Sequence, residues 1–332
     1  MPEQKVLLLT PPFTQLNTPY PATAYLKGFL NTKGIVSNQA DLGIEVILKL
    51  FSSDGLRKMF AYLETLDLEL TENSYRVYAL QHEYLRTIDP VVRFLQNKNP
   101  TLAHSICDRT YLPEASRFAQ LEDLEWAFGT MGIQDRARHL ATLYLEDLGD
   151  LIKEAVDPHF GFSRYAERLG RTATHFDELL TALQTDHSVI TDFLNLLLKQ
   201  KIEQTQPTVV CLSVPFPGNL FGALKCGQYI KQHHSNIKVV LGGGYANTEL
   251  RSLSDTRVFD YIDYVCLDDG EAPVQFLLEH LSGNRAAKDL KRTYLRENDK
   301  VVYYNGAKEK DVAQRDTGAP DYSDFVLDDY LS

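Results

Sequence analysis

The sequence of 332 residues has little of what metal sites, disulfide scaffolds and membrane spans require. Its four cysteines form no CxxC pair, which argues against a zinc knuckle and a thioredoxin-type redox motif. HxH and HExxH are also absent, so the histidines carry no metal-site pattern. No apolar stretch approaches the roughly 20 residues of a membrane span, and the amino terminus lacks the apolar core of a signal peptide. These absences predict a cytoplasmic protein with reduced thiols and no membrane partner.

Positive charge is also in deficit. The chain has 34 Lys and Arg against 45 Asp and Glu, a formal net charge of −11. An acidic surface repels phosphate backbones, so no nucleic-acid partner is predicted. The 44% hydrophobic and 24% charged residues are ordinary for a globular chain, which excludes wholesale disorder.

The first 42 residues have the pattern of a βαβ unit. An apolar run from Val6 to Thr10 is typical of a parallel strand covered on both faces. Helical spacing of apolar residues follows over 22–32, Gly34 ends that helix, and a second strand ends near Asp41. Asp41 could accept a ribose hydroxyl or cap the next helix, and both roles are equally plausible from the sequence.

The same alternation resumes after residue 205. Strands are predicted over 208–214, 237–241 and 261–267, with helices over 219–233 and 273–281. Strands that alternate with helices, with glycines after the strands, predict an α/β fold. The expected architecture is a Rossmann-like doubly wound parallel sheet.

Two segments fall outside that pattern. Residues 43–205 carry apolar stripes at helical spacing, interrupted by prolines, and predict a large all-helical insertion. The turn Asn298-Asp299 between two β-rich runs predicts a hairpin, followed over 306–332 by an irregular acidic connector. The predicted units are a Rossmann-like domain, the insertion, and a hairpin with its linker (1–42 with 206–290, 43–205, and 291–332).

Candidate binding residues cluster in the loops that follow the strands, where open α/β sheets bind ligands. The triplet Gly242-Gly243-Gly244 would let a backbone approach a bulky group, or would simply make a tight turn. The hydroxyl of Ser213 could bond a ligand ring nitrogen or its own backbone. Asp269 and Glu271 could pair for acid–base work or complement a helix dipole.

At these loops the sequence resembles the amino-terminal cobalamin-binding domain of cobalamin-dependent radical S-adenosylmethionine enzymes. The resemblance covers about 1–42 and 206–283. It rests on LLLTPP at the first strand, PYPATAYL from Pro19, LSVPFPGN over 212–219, LGGGYAN over 241–247 and DDGEAP over 268–273. Each motif is short, and their order along the chain makes the combination more specific than any one of them.

The resemblance implies a cobalamin site without a protein ligand to cobalt. Related cobalamin domains carry a DxHxxG loop after the first strand, and PPFTQLN stands there in this chain. The SxL and GG motifs appear as Ser213-Val214-Pro215 and Gly242-Gly243, so Ser213 would meet the dimethylbenzimidazole tail. No catalytic residue is expected in this chain. The expected cofactor-binding residues are Pro12, Phe13, Ser213, Val214, Pro215, Asn219, Gly242, Gly243, Gly244, Tyr245, Asp269, Gly270 and Glu271.

The relatives bind a 4Fe–4S cluster and S-adenosylmethionine through a CxxxCxxC loop on a following barrel, and this chain contains no such loop. We therefore expect the module to end before that barrel and to have its own radical S-adenosylmethionine domain as partner, in a methyltransferase acting on an unactivated carbon. One alternative is a non-catalytic binding or regulatory module with a degenerate cobalamin site, whose helical insertion recognises a partner. A nucleotide or nucleotide-sugar enzyme using the glycine loop is another.

Overall fold

A computed structural model describes residues 4–120, 132–171 and 176–331, and it has an α/β fold built on one seven-stranded sheet. The order across the sheet is β2-β1-β3-β4-β5-β6-β7, with parallel pairing from β2 to β5 and antiparallel pairing beyond β5. The strands are β1 (Lys5–Thr10), β2 (Val36–Asp41), β3 (Val209–Ser213), β4 (Lys238–Gly242), β5 (Tyr264–Cys266), β6 (Thr293–Glu297) and β7 (Lys300–Tyr304).

The expected α/β class and the all-helical character of the insertion are confirmed in the described residues. Between β2 and β3 the ordered elements are helical, with a short 3-10 turn at Ser116–Gln120. The helices are α1 (Ala22–Thr32), α2 (Leu42–Leu50), α3 (Ser53–Leu63), α4 (Glu72–Ala79), α5 (Gln81–Leu95), α6 (Leu102–Cys107), α7 (Ile133–Ala155), α8 (Glu167–Arg171), α9 (Phe176–Thr185), α10 (Val189–Thr205), α11 (Leu220–His233), α12 (Gly244–Glu249) and α13 (Glu271–Leu281).

The order of the parallel strands reverses between β1 and β3. Such a reversal is a topological switch point, where the loops after the two strands diverge and leave a crevice. Leu9 pairs with Leu212 across this point, and Ser213 pairs with Gly242 on the next strand. The carboxyl ends of β1, β3 and β4 therefore lie side by side.

Alternate residues of each strand pack on opposite faces of the sheet, as parallel strands covered on both sides require. One face contacts α1 and α13, and the other contacts α11 and the helical insertion. The first core includes Val6, Leu8, Val209, Cys211, Val240 and Cys266. The second, continuous with the core of the insertion, includes Leu7, Leu9, Val210, Leu212, Val239, Leu241 and Val265.

Two predicted elements differ from the structure. Strand β5 covers only three residues of the predicted 261–267, because the Asp263 carboxylate accepts the Val239 amide (2.7 Å) and ion-pairs with Lys231 just before the strand begins. The predicted hairpin is present as β6 and β7, and it extends the main sheet antiparallel to β5.

The carboxyl-terminal segment is irregular, as predicted, but it lies against the domain. It crosses α1 and β2 and ends beside the loop after β1, where the Leu331 amide donates to the Leu16 carbonyl (2.7 Å). Tyr330 and Leu331 are buried in the core that the sheet shares with the insertion. The sequence predicted an irregular acidic connector, and in the structure carboxylates of this segment pair with buried partners of the sheet domain.

Candidate functional site

A slot of about 330 Å³ opens at the carboxyl end of the sheet, beside the switch point. Its floor is the sheet itself, and its walls are α1 and α13. The lining residues are Leu8, Ala22, Thr23, Tyr25, Leu26, Cys211, Leu212, Ser213, Val240, Gly242, Gly243, Cys266, Asp268, Asp269, Gly270, Glu271 and Val274. The volume lies at the small end of the range of ligand pockets, roughly 300–1,000 Å³.

The floor of the slot is apolar. Leu8, Cys211, Val240 and Cys266 come from four parallel strands and belong to the smaller core. Burial raises the pKa of the Cys266 thiol to about 12 and raises that of Cys211 still further from its usual range. Both thiols are therefore neutral at physiological pH and serve as apolar packing groups.

Ser213 supplies a hydroxyl at the inner end of the slot. It is the last residue of β3, is half-buried, and lies next to Gly242 in the sheet register. Among the described residues no group hydrogen-bonds to this hydroxyl, so the sequence alternative in which it bonds its own backbone is not what the structure has. A hydroxyl held in this way can bond a polar atom of a ligand that enters the slot.

One rim of the slot is acidic. Asp268, at a positive φ of 63°, ion-pairs with Arg251 and with Arg292 (3.2 Å). Asp269 and Glu271 form no ion pair within the described part of the chain, and Glu271 occupies the first turn of α13, where its charge complements the helix dipole. The structure therefore gives Glu271 the dipole-matching position that the sequence offered as one alternative.

The opposite rim is aromatic. Tyr25, on α1, is 51% exposed and lines the slot. Phe216, in the loop after β3, is 49% exposed and contacts Tyr20 edge to face, with ring centroids 5.7 Å apart, but neither of these two rings lines the slot. Exposed aromatic side chains beside a cavity are typical of surfaces that pack against planar ligands.

The glycine triplet is used mainly by the protein's own backbone. Gly243 has a φ of 105°, and a Cβ there would lie 2.7 Å from the Val214 carbonyl oxygen. A Cβ on Gly244 would meet the Pro215 carbonyl at the same distance, whereas one on Gly242 would make only a 3.4 Å contact. Gly243 and Gly244 therefore leave space for the backbone of Val214 and Pro215, as the tight-turn alternative requires, while Gly242 and Gly243 also line the slot.

Several residues expected at the site lie on the insertion side of the loops. Phe13 is fully buried against Phe160 and Tyr165, with centroid distances of 5.8 and 5.1 Å. Tyr245 is buried as well, and its hydroxyl donates to the Gly170 carbonyl of the insertion (2.9 Å). None of these side chains lines the slot.

Four more of the expected residues join the loops to one another. The buried Asn219 amide donates to the Pro11 carbonyl (2.9 Å), which ties the loop after β3 to the loop after β1 across the switch point. Pro12 packs on α11, Val214 exchanges backbone hydrogen bonds with Gly242 and Tyr245, and Pro215 lies against the glycine loop. These residues shape the edge of the sheet and do not line the slot.

Asp41 is a helix cap. Its Oδ1 accepts from the amides of Gly43 (2.9 Å) and Ile44 (3.3 Å), and its Oδ2 accepts from the Tyr330 hydroxyl (2.9 Å). Burial raises its pKa from 3.8 to about 6. The capping alternative is therefore the one that the structure has, and no oxygen is left for a ribose.

The sequence did not single out the wall residues Thr23, Tyr25, Leu26 and Val274. A signal for them existed, because Ala22, Tyr25 and Leu26 were noted at helical spacing on the apolar stripe of α1. A stripe that packs on a sheet and one that lines a slot have the same periodicity, so pattern alone does not separate the two.

Searches against protein-family models, curated proteins and solved structures find no match to this chain. None of the described helices is both long enough and apolar enough to cross a membrane. The described residues also contain no group of three or more His, Cys, Asp or Glu placed to hold a metal ion. Fold and site together define an α/β protein with a doubly wound sheet and a ligand-sized slot beside its switch point.

Proposed function

We propose that this chain is a corrinoid-binding module that takes the dimethylbenzimidazole tail of cobalamin into the slot. The observation that carries the proposal is the slot itself, which combines an apolar floor, two helical walls and one unpartnered hydroxyl at the end of β3. These features suit a flat, uncharged aromatic group with a ring nitrogen.

The chain's own residues fit that tail in distinct ways. Leu8, Cys211, Val240 and Cys266 would bury the ring against the sheet, and the Ser213 hydroxyl would donate a hydrogen bond to its nitrogen. When bound, cobalamin supplies a cobalt centre for methyl transfer or electron transfer. The residues described here bind and orient the tail.

A nucleotide suits the slot less well. Asp269 and Glu271 border it without cationic partners in the described residues, and a di- or triphosphate near them would meet like charge. The glycine loop that could cradle a phosphate is occupied by the backbone of Val214 and Pro215. Both observations disfavour a nucleoside di- or triphosphate, whereas the tail of cobalamin brings a single phosphodiester with one negative charge.

An absorbance titration with hydroxocobalamin tests the proposal. We expect saturable binding of one corrinoid per chain, and absence of a spectral change or of retained corrinoid at high concentration would overturn it. Ala22→Trp should abolish binding, because the half-exposed Ala22 lines the slot and an indole there would fill it. The matched control is Ala79→Trp, which adds the same ring at an exposed position of the insertion.

We further propose that the module serves a radical S-adenosylmethionine methyltransferase. The order of the strand-end motifs supports this step, and the slot bears only on the corrinoid. The test is the full reading frame that encodes this chain, in which we expect a CxxxCxxC motif after the β6–β7 hairpin. A frame without that motif would leave a corrinoid-binding module of another class.

A further inference from the structure

The carboxyl-terminal segment lies along the face of α1 that is opposite the slot. The Asp321 amide donates to the Ala24 carbonyl (2.9 Å), and Asp321 accepts from the Asn31 side-chain amide (2.8 Å). At 100° per residue, positions 24, 27, 28 and 31 centre on one side of the helix, while the slot-lining positions 22, 23, 25 and 26 centre on the other. Helix α1 is therefore held between the slot and the terminal segment.

An ion pair between a buried lysine and a solvent-accessible aspartate anchors this contact. Lys27 is only 5% exposed, and its ammonium lies 2.6 Å from the Asp324 carboxylate and 3.6 Å from that of Asp321. The ammonium also donates to the Ser323 hydroxyl (3.1 Å). A charge buried to this degree depends on its partners, and loss of the Asp324 carboxylate would leave only the more distant Asp321 to compensate it.

The same carboxylate joins the helix to the sheet. Asp324 accepts from the Gln39 backbone amide on β2 (2.8 Å) as well as from Lys27. Close packing supports the junction, because a Cβ on Gly28 would overlap the Ala319 carbonyl of the segment. Lys27 and Asp324 thus fix how far α1 stands from β2.

We propose that the Lys27–Asp324 pair is a positioning pair that sets the width of the slot, and thereby the affinity for the tail of a corrinoid. This inference rests on the proposed function. Helix α1 forms one wall of the slot and α13 the other, so a shift of α1 changes the space between them. The pair lies on the far side of α1 and does not line the slot.

The test compares two ligands that differ in the tail. Cyanocobalamin carries the dimethylbenzimidazole nucleotide, and dicyanocobinamide has the same corrin ring without it. We expect Lys27→Met and Asp324→Asn each to weaken cyanocobalamin binding about tenfold, because either substitution breaks the ion pair that joins α1 to the terminal segment and, through Asp324, to β2. Both variants should leave cobinamide affinity within about twofold, and their effects on cyanocobalamin should be non-additive when combined.

Lys300→Met is the matched control, since it removes an exposed lysine of the hairpin. Thermal unfolding of each variant shows whether the fold is retained, and amide hydrogen exchange over α1 should accelerate only in the Lys27 and Asp324 variants. Equal losses for both ligands, or no loss for either, would overturn the positioning role while leaving corrinoid binding intact. A wild-type chain that binds neither ligand would refute the proposed function, and with it this inference.

Discussion

The two faces of the sheet do different work, although each strand contributes to both. On one face, α11 and the helical insertion share a continuous core with the sheet, and loop side chains such as Phe13 and Tyr245 are buried in it. On the other face, α1 and α13 stand apart over a smaller core and leave the slot. The comparison shows that, within one loop, some residues pack in the core of the insertion face while their neighbours line the slot on the other face.

The largest expected effect concerns the insertion face. Phe13→Ala should lower the free energy of unfolding by about 3–5 kcal/mol, because it empties a fully buried aromatic site between Phe160 and Tyr165. Urea denaturation measures the loss. Phe216→Ala removes the same ring from an exposed position in the loop after β3 and should change stability by less than about 0.5 kcal/mol. Equal losses of stability in the two variants would contradict the claim that Phe13 is a packing residue of the insertion face.

A pH dependence is expected where the insertion begins. Burial raises the pKa of Asp41 to about 6, above the 3.8 of an exposed carboxyl. Between about pH 4 and pH 6 the Asp41 carboxyl therefore keeps a proton in the folded chain that it has lost in the unfolded chain. Stability that derives from this proton is present at low pH and is lost as the pH rises towards and beyond 6. The free energy of unfolding of the wild type should therefore fall by up to about 3 kcal/mol between pH 4 and pH 7, relative to that of Asp41→Asn, when both are measured by urea denaturation. A difference that stays constant between these two pH values would contradict the assignment.

The glycine loop offers a sharper contrast between packing and binding. Gly243→Ala should cost about 1–3 kcal/mol of stability, because its φ is positive and the new Cβ would press on the Val214 backbone. Gly270→Ala meets nothing within 4 Å and should stay within about 0.5 kcal/mol. The two variants are compared by urea unfolding. If Gly243→Ala leaves the free energy of unfolding unchanged, Gly243 is not required by the packing of the loop, and the alternative that the triplet makes room for a ligand is favoured.

The smallest expected effect concerns a residue of the slot, and it changes the affinity for the ligand without changing stability. Ser213→Ala should weaken hydroxocobalamin binding about fivefold, the usual worth of one hydrogen bond, and should leave the free energy of unfolding unchanged. Parallel titration and unfolding of the same preparation measure both quantities. A stability loss without an affinity loss would place Ser213 among the structural residues.

The sequence predicted the alternation of strands and helices, the helical insertion and the hairpin, because these depend on local periodicity and turn chemistry. It also singled out six of the seventeen residues that line the slot, because they stand at or just after strand ends, where ligands bind: Ser213, Gly242, Gly243, Asp269, Gly270 and Glu271. The sequence pattern could not distinguish Ser213 from the adjacent Val214. In the structure Ser213 lines the slot, whereas Val214 is buried in the core on the other face of the sheet.

The terminal segment could not be predicted for a different reason. Lys27 and Asp324 are separated by almost the whole chain, and each has the local pattern of a solvated charge. The burial of Lys27 arises only when the segment reaches α1, a contact that no window of the sequence contains. The acidic composition predicted an irregular connector here and did not indicate where the connector would lie.

The central claim is that the slot between α1 and α13 holds the tail of a corrinoid. A crystal structure of the chain with bound cobalamin tests it most directly. We predict density for the benzimidazole over Cys211 and Val240, with its nitrogen within hydrogen-bond distance of the Ser213 hydroxyl. A corrinoid bound elsewhere, with the slot free of the tail, would contradict the account.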